Sequence, residues 1–391
     1  MPEWRAATRG RDAAAAGNAT FCTVYAQQLP GAHLYRSAEA RVREDNPDLS
    51  WNRELTLARV SERMRVGIVL AGDPDTANAV SLALIEDCGF RSVFIECEED
   101  RQDQVGLELA EFARECRGRG LQTYALPRGY GLVLAAKAGA QSRFVRAFPH
   151  ARQVDSRGAL VERACPNHPE FLQWFELRTR DLAEMLACDG FVWAEPAFYY
   201  GRGNWGCRCL YCQRFYAAEY DEDMPVELDH RVLSFRQKSL IAFLLAATAA
   251  TKSINPAARS IVKTTPWLAP GQVAMESEHW QPLLTSAAVD GLAVAADWRA
   301  ARAGMEDLMS RIARGAMREA EQAGKLAQIW VGGSPAPEDR LLEALRFGLR
   351  LGAPEMVISD FGSLMRHPGF TDMRGQLKQL LRQAAAQEQA A

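Results

Sequence analysis

Apolar positions along this chain come in short unbroken runs, separated by longer segments with helical spacing. Runs at Arg65–Leu70, Ser92–Cys97, Gln122–Leu126 and Gly190–Trp193 read as strands, and four more follow at Ser260–Thr264, Gly291–Ala295, Gln328–Val331 and Met356–Ser359. Continuous apolar runs of this length suit strands covered on both faces, as in parallel sheets. Helical patterns fill the gaps at Asp75–Asp87, Asp103–Arg117, Pro169–Ala187, Cys212–Tyr220 and Arg231–Ser253, then at Glu276–Ser286, Met305–Ala323, Pro337–Leu351 and Asp372–Ala386. Glycine, often as Asp-Gly, marks the step into many strands, as at Gly89, Asp189-Gly190 and Asp290-Gly291.

Eight strand–helix units in succession predict an α/β fold, a closed (β/α)8 TIM barrel over residues 64–391. A doubly wound open sheet is the runner-up. The turn after the first strand, Ala71-Gly-Asp-Pro-Asp75, lacks the glycine spacing of a dinucleotide loop. Residues 1–63 give mixed signals and read as an irregular N-terminal extension packing on the barrel. Residues 128–168 form a long insertion between the third strand and the third helix, and a loop of that length in a compact domain is usually functional.

Composition narrows the class without naming a function. A chain of 391 residues that is 48% hydrophobic and 24% charged is ordinary for a globular protein. Its net charge of −3 gives no global attraction to nucleic acid or an anionic membrane. The longest apolar stretch, Ser239–Ala250, is too short to span a bilayer, and Met1–Thr20 lacks the apolar core of a secretory signal. Nine cysteines spread over this length do not make a disulfide scaffold, so a reducing, cytoplasmic setting is expected.

The chemistry concentrates after the fourth strand. Asp189-Gly-Phe-Val-Trp-Ala-Glu195-Pro runs into an aromatic loop closed by Cys207-Arg-Cys209-Leu-Tyr-Cys212. Cys-x-Cys-x-x-Cys places three sulfurs on one tight turn, and Cys165, opening the turn before the third helix, can complete a tetrahedral site. Four thiolates leave no open position, so the expected cofactor is a structural Zn2+ clamping the loop after strand four. Cys22, Cys88, Cys97, Cys116 and Cys188 read as small buried hydrophobes.

Glu195 stands at the C-terminal end of a barrel strand, the address of catalytic groups in such folds. An apolar surround would raise its pKa and suit it to general acid work. Trp193, Phe198, Tyr199, Tyr200 and Trp205 are expected to supply that surround. Further carboxylates close other strands: Glu96 after the second, Asp297 after the sixth, Asp360 after the eighth. Glu98 and Glu99 beside Glu96 can be read as a solvated run. Carboxylates and aromatic platforms together suit a polyhydroxylated ligand. Candidate contacts for it are Glu96, His150, Arg152, Asn167 and Trp193, with Tyr199, Tyr200, Trp267, Trp298 and Trp330. The expected partner is a small carbohydrate or glycoside, not nucleic acid or membrane.

Three segments carry a family resemblance: Cys165-Pro-Asn-His-Pro-Glu170, Gly190-Phe-Val-Trp-Ala-Glu195-Pro and Cys207-x-Cys209-x-x-Cys212-Gln. Together they resemble the corresponding run in the family 42 β-galactosidases of glycosidase clan A, and still more a related group of TIM-barrel glycosidase-like proteins. The resemblance implies that Cys165, Cys207, Cys209 and Cys212 bind zinc and that Glu195 is the general acid/base. The trimeric habit of those galactosidases points to a homo-oligomer. One departure stands out. Retaining enzymes of that clan carry a nucleophilic glutamate at the end of strand seven, where this chain reads Gln328-Ile-Trp-Val-Gly-Gly-Ser334. Asp297, Asp360 and Glu96 are then the candidates for a second carboxylate, the first two as catalytic residues. A glycoside hydrolase or lyase-like relative is the first functional expectation. A catalytically silent carbohydrate-binding barrel is the alternative. A metal-dependent isomerase or aldolase type ranks last, because only six scattered histidines exist.

Overall fold

The computed structural model describes residues 65–70, 79–136, 139–201, 203–264, 281–296, 306–331, 353–359, 374–376 and 378–379. Residues 1–64, and with them the proposed extension, lie outside that set.

Eight parallel strands close into a barrel in the order β1-β8-β7-β6-β5-β4-β3-β2. They are β1 Arg65–Leu70, β2 Ser92–Glu98, β3 Gln122–Arg128, β4 Gly190–Ala194, β5 Arg259–Thr264, β6 Gly291–Ala296, β7 Leu326–Val331 and β8 Glu355–Ile358. All eight apolar runs of the sequence are present, each beside its chain neighbour, and β1 closes the ring on β8. Six main helices are described: α1 Ala79–Cys88, α2 Gln102–Gly118, α3 Pro169–Leu186, α4 Leu210–Tyr220, α5 His230–Ile254 and α6 Glu306–Gln322.

Alternation along each strand splits its side chains between two cores. Val69, Phe94, Tyr124, Leu126, Val192, Ala194, Ile261, Trp330 and Val357 point inward. Phe191, Trp193, Val262 and Ile329 point outward and pack under the helices. The α3 helix begins with Pro169, whose missing N–H costs nothing at that position, and buries Phe171, Phe175, Leu182 and Leu186. The α5 helix is capped by Asp229, whose side chain accepts from the Val232 amide at 2.8 Å. Its Phe243 lies 4.7 Å from Phe175. This helix is long and apolar enough to cross a membrane, yet 72% of its apolar window is buried inside the protein, as befits a core helix.

The barrel interior is filled in layers. At the N-terminal end, buried Glu355 accepts from Ser92 Oγ and Gln328 Nε2, both at 2.8 Å. Above it Phe94 stacks on Tyr124 at 4.7 Å and meets Trp330 edge-on at 5.2 Å. Tyr124 needs space beside it on β4, which explains Gly190. A Cβ there would sit 2.5 Å from the Arg259 carbonyl oxygen and 2.8 Å from the Tyr124 ring. Gly190→Ala is expected to destabilise by about 1–3 kcal/mol through overpacking, read as a lowered urea midpoint.

The Asp-Gly steps seen in the sequence are strand latches. Asp189 accepts from the Thr123 amide of β3 at 2.7 Å, while its own carbonyl takes the Arg259 amide of β5 at 2.9 Å. Asp290 repeats the device one strand pair on. It accepts from the Ser260 amide at 2.7 Å, and its carbonyl takes the Leu326 amide at 2.9 Å. Asp290 also pairs at 2.6 Å with Lys252, a lysine buried on α5.

The insertion after β3 is ordered by its own contacts. It contains an antiparallel hairpin of Arg152–Val154 and Leu160–Ala164. Glu98 and Glu99 are not a solvated run, being 6% and 2% exposed. Glu99 accepts from the Gly131 amide at 2.7 Å, Ser142 Oγ at 3.0 Å and the Phe144 amide at 3.1 Å, and so anchors the start of the insertion. Burial pushes its carboxyl up, against the pull of those hydrogen bonds.

Candidate functional site at the barrel mouth

The β4 strand ends at Ala194, and the chain turns sharply at Glu195. Its φ of 52° lies in the left-handed region, which L residues other than glycine and asparagine seldom occupy. Holding a glutamate there costs on the order of 1–3 kcal/mol, and such strain gathers at functional sites. The Glu195 amide donates to the Lys263 carbonyl at 3.2 Å. Its carboxylate forms an ion pair with Lys263 Nζ. Lys263 lies on β5 two residues beyond inward-facing Ile261, so it points into the barrel. Its ammonium sits 5.3 Å from the centre of the Trp330 ring. The Lys263 side chain is 9% exposed and that of Glu195 24%, so the carboxylate is the more water-facing member of the pair.

A second pair closes the neighbouring strands. Glu96 of β2 and Arg128 of β3, each two residues past an inward apolar side chain, approach to 3.7 Å. At the mouth the carboxylates of Glu195 and Glu96 thus pair with the cations of Lys263 and Arg128, and Trp330 lies below Lys263. Trp330 is 3% exposed, and its indole donates to Gln328 Oε1 at 3.0 Å.

The surround expected for Glu195 is differently built. Trp193 turns away from the mouth, packs on Phe175 at 5.5 Å and donates to Ser260 Oγ at 3.2 Å. It is one residue out of phase with inward Val192 and Ala194. Phe198 and Trp205 enter a separate apolar cluster with the four cysteines. The Tyr199 amide donates to Gln153 at 2.9 Å, and Tyr200 pairs with Trp205 in a two-residue hairpin. His150 is exposed and bonds to Glu170, whereas Arg152 donates to the Val145 carbonyl at 2.9 Å. Asn167 is buried, donating to Cys212 Sγ at 3.3 Å and Ser239 Oγ at 3.0 Å, so it supports the cysteines instead of facing a ligand. Asp297, Asp360, Trp267 and Trp298 lie outside the described residues. Of the remaining candidates, Glu195, Glu96 and Trp330 share the mouth.

Beside the mouth, the sulfurs of Cys165, Cys207, Cys209 and Cys212 lie within 4.8 Å of one another, all buried. Cys165 Sγ is 3.4 Å from Cys212 Sγ and 3.5 Å from Cys209 Sγ. A metal held by four thiolates at about 2.3 Å sets its sulfurs about 3.8 Å apart, so this cluster could hold an ion with small adjustment. The surrounding groups suit the negative charge of such a set. Asn167 donates to Cys212, and the Cys209 amide approaches Cys207 Sγ at 3.4 Å. Hydrogen bonds from the other three thiols push Cys209 strongly down, whereas burial pushes Cys165 and Cys212 up.

Arg236 of α5 supplies a full counter-charge. It is 2% exposed and lies between the rings of Phe198, at 5.0 Å, and Trp205, at 5.8 Å. Burial draws its guanidinium down to about 9, while the Cys207 and Cys212 thiolates favour its charged form. Gln153 then ties the insertion hairpin to the loop, donating to the Ala164 carbonyl at 2.9 Å and accepting from Tyr199.

Lys263, Arg128 and Arg236 are the charged residues that the sequence reading passed over. A signal existed for the first two: each sits two positions past an inward apolar residue at the C-terminal end of its strand. Arg236 had a weaker one, a lone cation in an apolar helical stripe.

No family model matches this sequence, and no curated protein does either. Comparison with solved structures gives likenesses of low identity and low TM-score. An HpcH/HpaI aldolase from Desulfitobacterium hafniense DCB-2 is 11% identical with a TM-score of 0.36, over 84% of this chain and 95% of that one. A thiamine phosphate pyrophosphorylase from Pyrococcus furiosus is 10% identical with a TM-score of 0.36, over 83% of this chain and 98% of that one.

Proposed function

We propose that this barrel acts on a small glycoside, with Glu195 as the acid/base and a structural Zn2+ in the four-cysteine site. The observation that carries the reading is a carboxylate brought into the mouth on a strained left-handed backbone at the end of β4. Strain of this kind persists only where the surrounding structure enforces it. The resemblance of the segments around Cys165, Glu195 and Cys207 to glycosidase-like barrels agrees with it.

In the free protein Glu195 is ion-paired, so it is set to accept a proton or a hydrogen bond. A sugar hydroxyl that displaces Lys263 would remove the cation that favours the ionised carboxylate, so Glu195 would take up a proton from solvent and could then give it to a leaving oxygen. The Lys263 ammonium, which only donates, would then give hydrogen bonds to other hydroxyls and fix the sugar's orientation. Hydrolysis also needs a second carboxylate. The candidates for that role are Asp297, Asp360 and Glu96, of which Glu96 lies among the described residues. A separation near 5 Å would give retention, and about 6.5–9.5 Å inversion through a water. Cys165, Cys207, Cys209 and Cys212 would hold a Zn2+ that fastens the loop, and with four thiolates as ligands it would have no position open for bond cleavage. Its thiolates require a reducing compartment, in keeping with a cytoplasmic protein.

The second reading is a silent carbohydrate-binding barrel. One observation favours it: β7 carries Gln328 and Trp330 in the interior and no carboxylate. A panel of chromogenic glycosides with Glu195→Gln decides between them. Turnover of the accepted glycoside should fall by about 10²–10⁴-fold in the variant while calorimetric binding persists. Undiminished turnover would remove Glu195 from the chemistry. Saturable sugar binding by the unaltered protein, with no turnover on any glycoside, would establish the binder.

A further inference from the structure

His150, His168 and Glu170 form a second cluster beside the four cysteines, and no step of the proposed chemistry uses it. One ligand atom from each lies within 4.8 Å of the others. The three come from two segments. His150 sits in the short turn Pro149–Ala151 of the insertion, and His168 and Glu170 flank Pro169 at the start of α3.

His168 is the fixed member. It is 5% exposed, and its amide donates to the Cys165 carbonyl at 3.0 Å. Its ring stands edge-on to Tyr211 at 4.6 Å and to His150 at 5.6 Å. Yet Nδ1 is buried with no hydrogen-bond partner. Buried polar atoms without a partner are rare and need an explanation. Here an imidazole with unspent bonding capacity stands beside a second imidazole and a carboxylate.

The other two members can move. The side chains of His150 and Glu170 are 60% and 48% exposed, and they already bond to each other through Nε2 and Oε2. A divalent cation would replace the shared proton of that bond. Ligand atoms around an ion at about 2.0–2.2 Å stand roughly 3–3.5 Å apart, so only side-chain rotation is needed.

We propose that His150, His168 and Glu170 form a second, exchangeable site for a divalent transition metal, distinct from the four-cysteine cluster. Two imidazoles and a carboxylate favour zinc, cobalt or nickel over magnesium or calcium, which prefer all-oxygen shells. Three protein ligands leave a coordination position open to solvent. The ion would fasten the tip of the insertion to the N-terminal end of α3.

The test uses the full chain, purified without a polyhistidine tag and with its tightly held metal retained. Titration with Co2+ should show one additional reversible equivalent. Its visible bands should lack the near-ultraviolet sulfur-to-metal absorption that cobalt in the cysteine cluster would give. His150→Ala and Glu170→Gln, both at exposed side chains, should weaken that equivalent by about 100-fold or more while leaving the tightly bound metal in place. The proposal is overturned if the unaltered protein takes up no second equivalent. It is equally overturned if the second equivalent survives in both variants, or if its spectrum shows sulfur ligation.

Discussion

Cys212→Ala is expected to reduce bound metal from about one ion per chain to none, because Cys165, Cys207 and Cys209 alone leave the tetrahedron one thiolate short. The Cys212 sulfur touches Cys165 and takes the Asn167 amide, so its loss breaks both the ligand set and its support. It also leaves Arg236, a guanidinium buried between Phe198 and Trp205, with less negative charge to face. The loss should fall on the order of 4–5 kcal/mol, the range seen when a metal or a disulfide goes. The barrel core is separate from this cluster, so the damage should first show as local opening. Elemental analysis reads the metal, and limited proteolysis should cut first within residues 198–212. A variant that keeps its ion and resists cleavage would show that the cysteines are only neighbours.

Asp290→Ala should be as costly, by about 3–5 kcal/mol, for a different reason. Lys252 Nζ is held by Asp290 and by the Ala258 carbonyl at 2.7 Å, on a side chain 1% exposed. Burial already pushes this lysine down, and Asp290 is what opposes that. Removing the carboxylate strands the ammonium and frees the Ser260 amide on the adjacent strand. The double variant Lys252→Met/Asp290→Asn should recover much of the loss, since an apolar replacement of a buried pair is often near neutral. Urea denaturation of the two variants checks both claims. A cost below about 1 kcal/mol for Asp290→Ala would mean that water reaches the pair.

These two features differ in how far the sequence betrayed them. The eight strands were legible because each is an unbroken apolar run, the mark of burial on both faces. The same property hid the inside of the barrel. Val192 and Trp193 are equally apolar, so nothing in Gly-Phe-Val-Trp-Ala says which of them faces the axis, and Trp193 faces the helices. Lys263 was hidden in the same way, as one polar residue in a strand that otherwise reads as core. The cysteine spacing was legible because tetrahedral geometry limits where thiolates can lie along a chain. The hairpin Leu160–Ala164 was not, since its half-exposed residues carry little hydrophobic signal. Arg236 acts on the cysteines from a distant sequence position, and Asn167, two residues from Cys165, reaches Cys212 far along the chain, through contacts that only the folded chain creates.

The stacked Phe94 and Tyr124, with Trp330 edge-on, stopper the cylinder partway along its axis. Among the described residues, a ligand that reached Lys263 would therefore find the way along the axis shut behind it. It would have to back out toward the end from which it came before another could take its place.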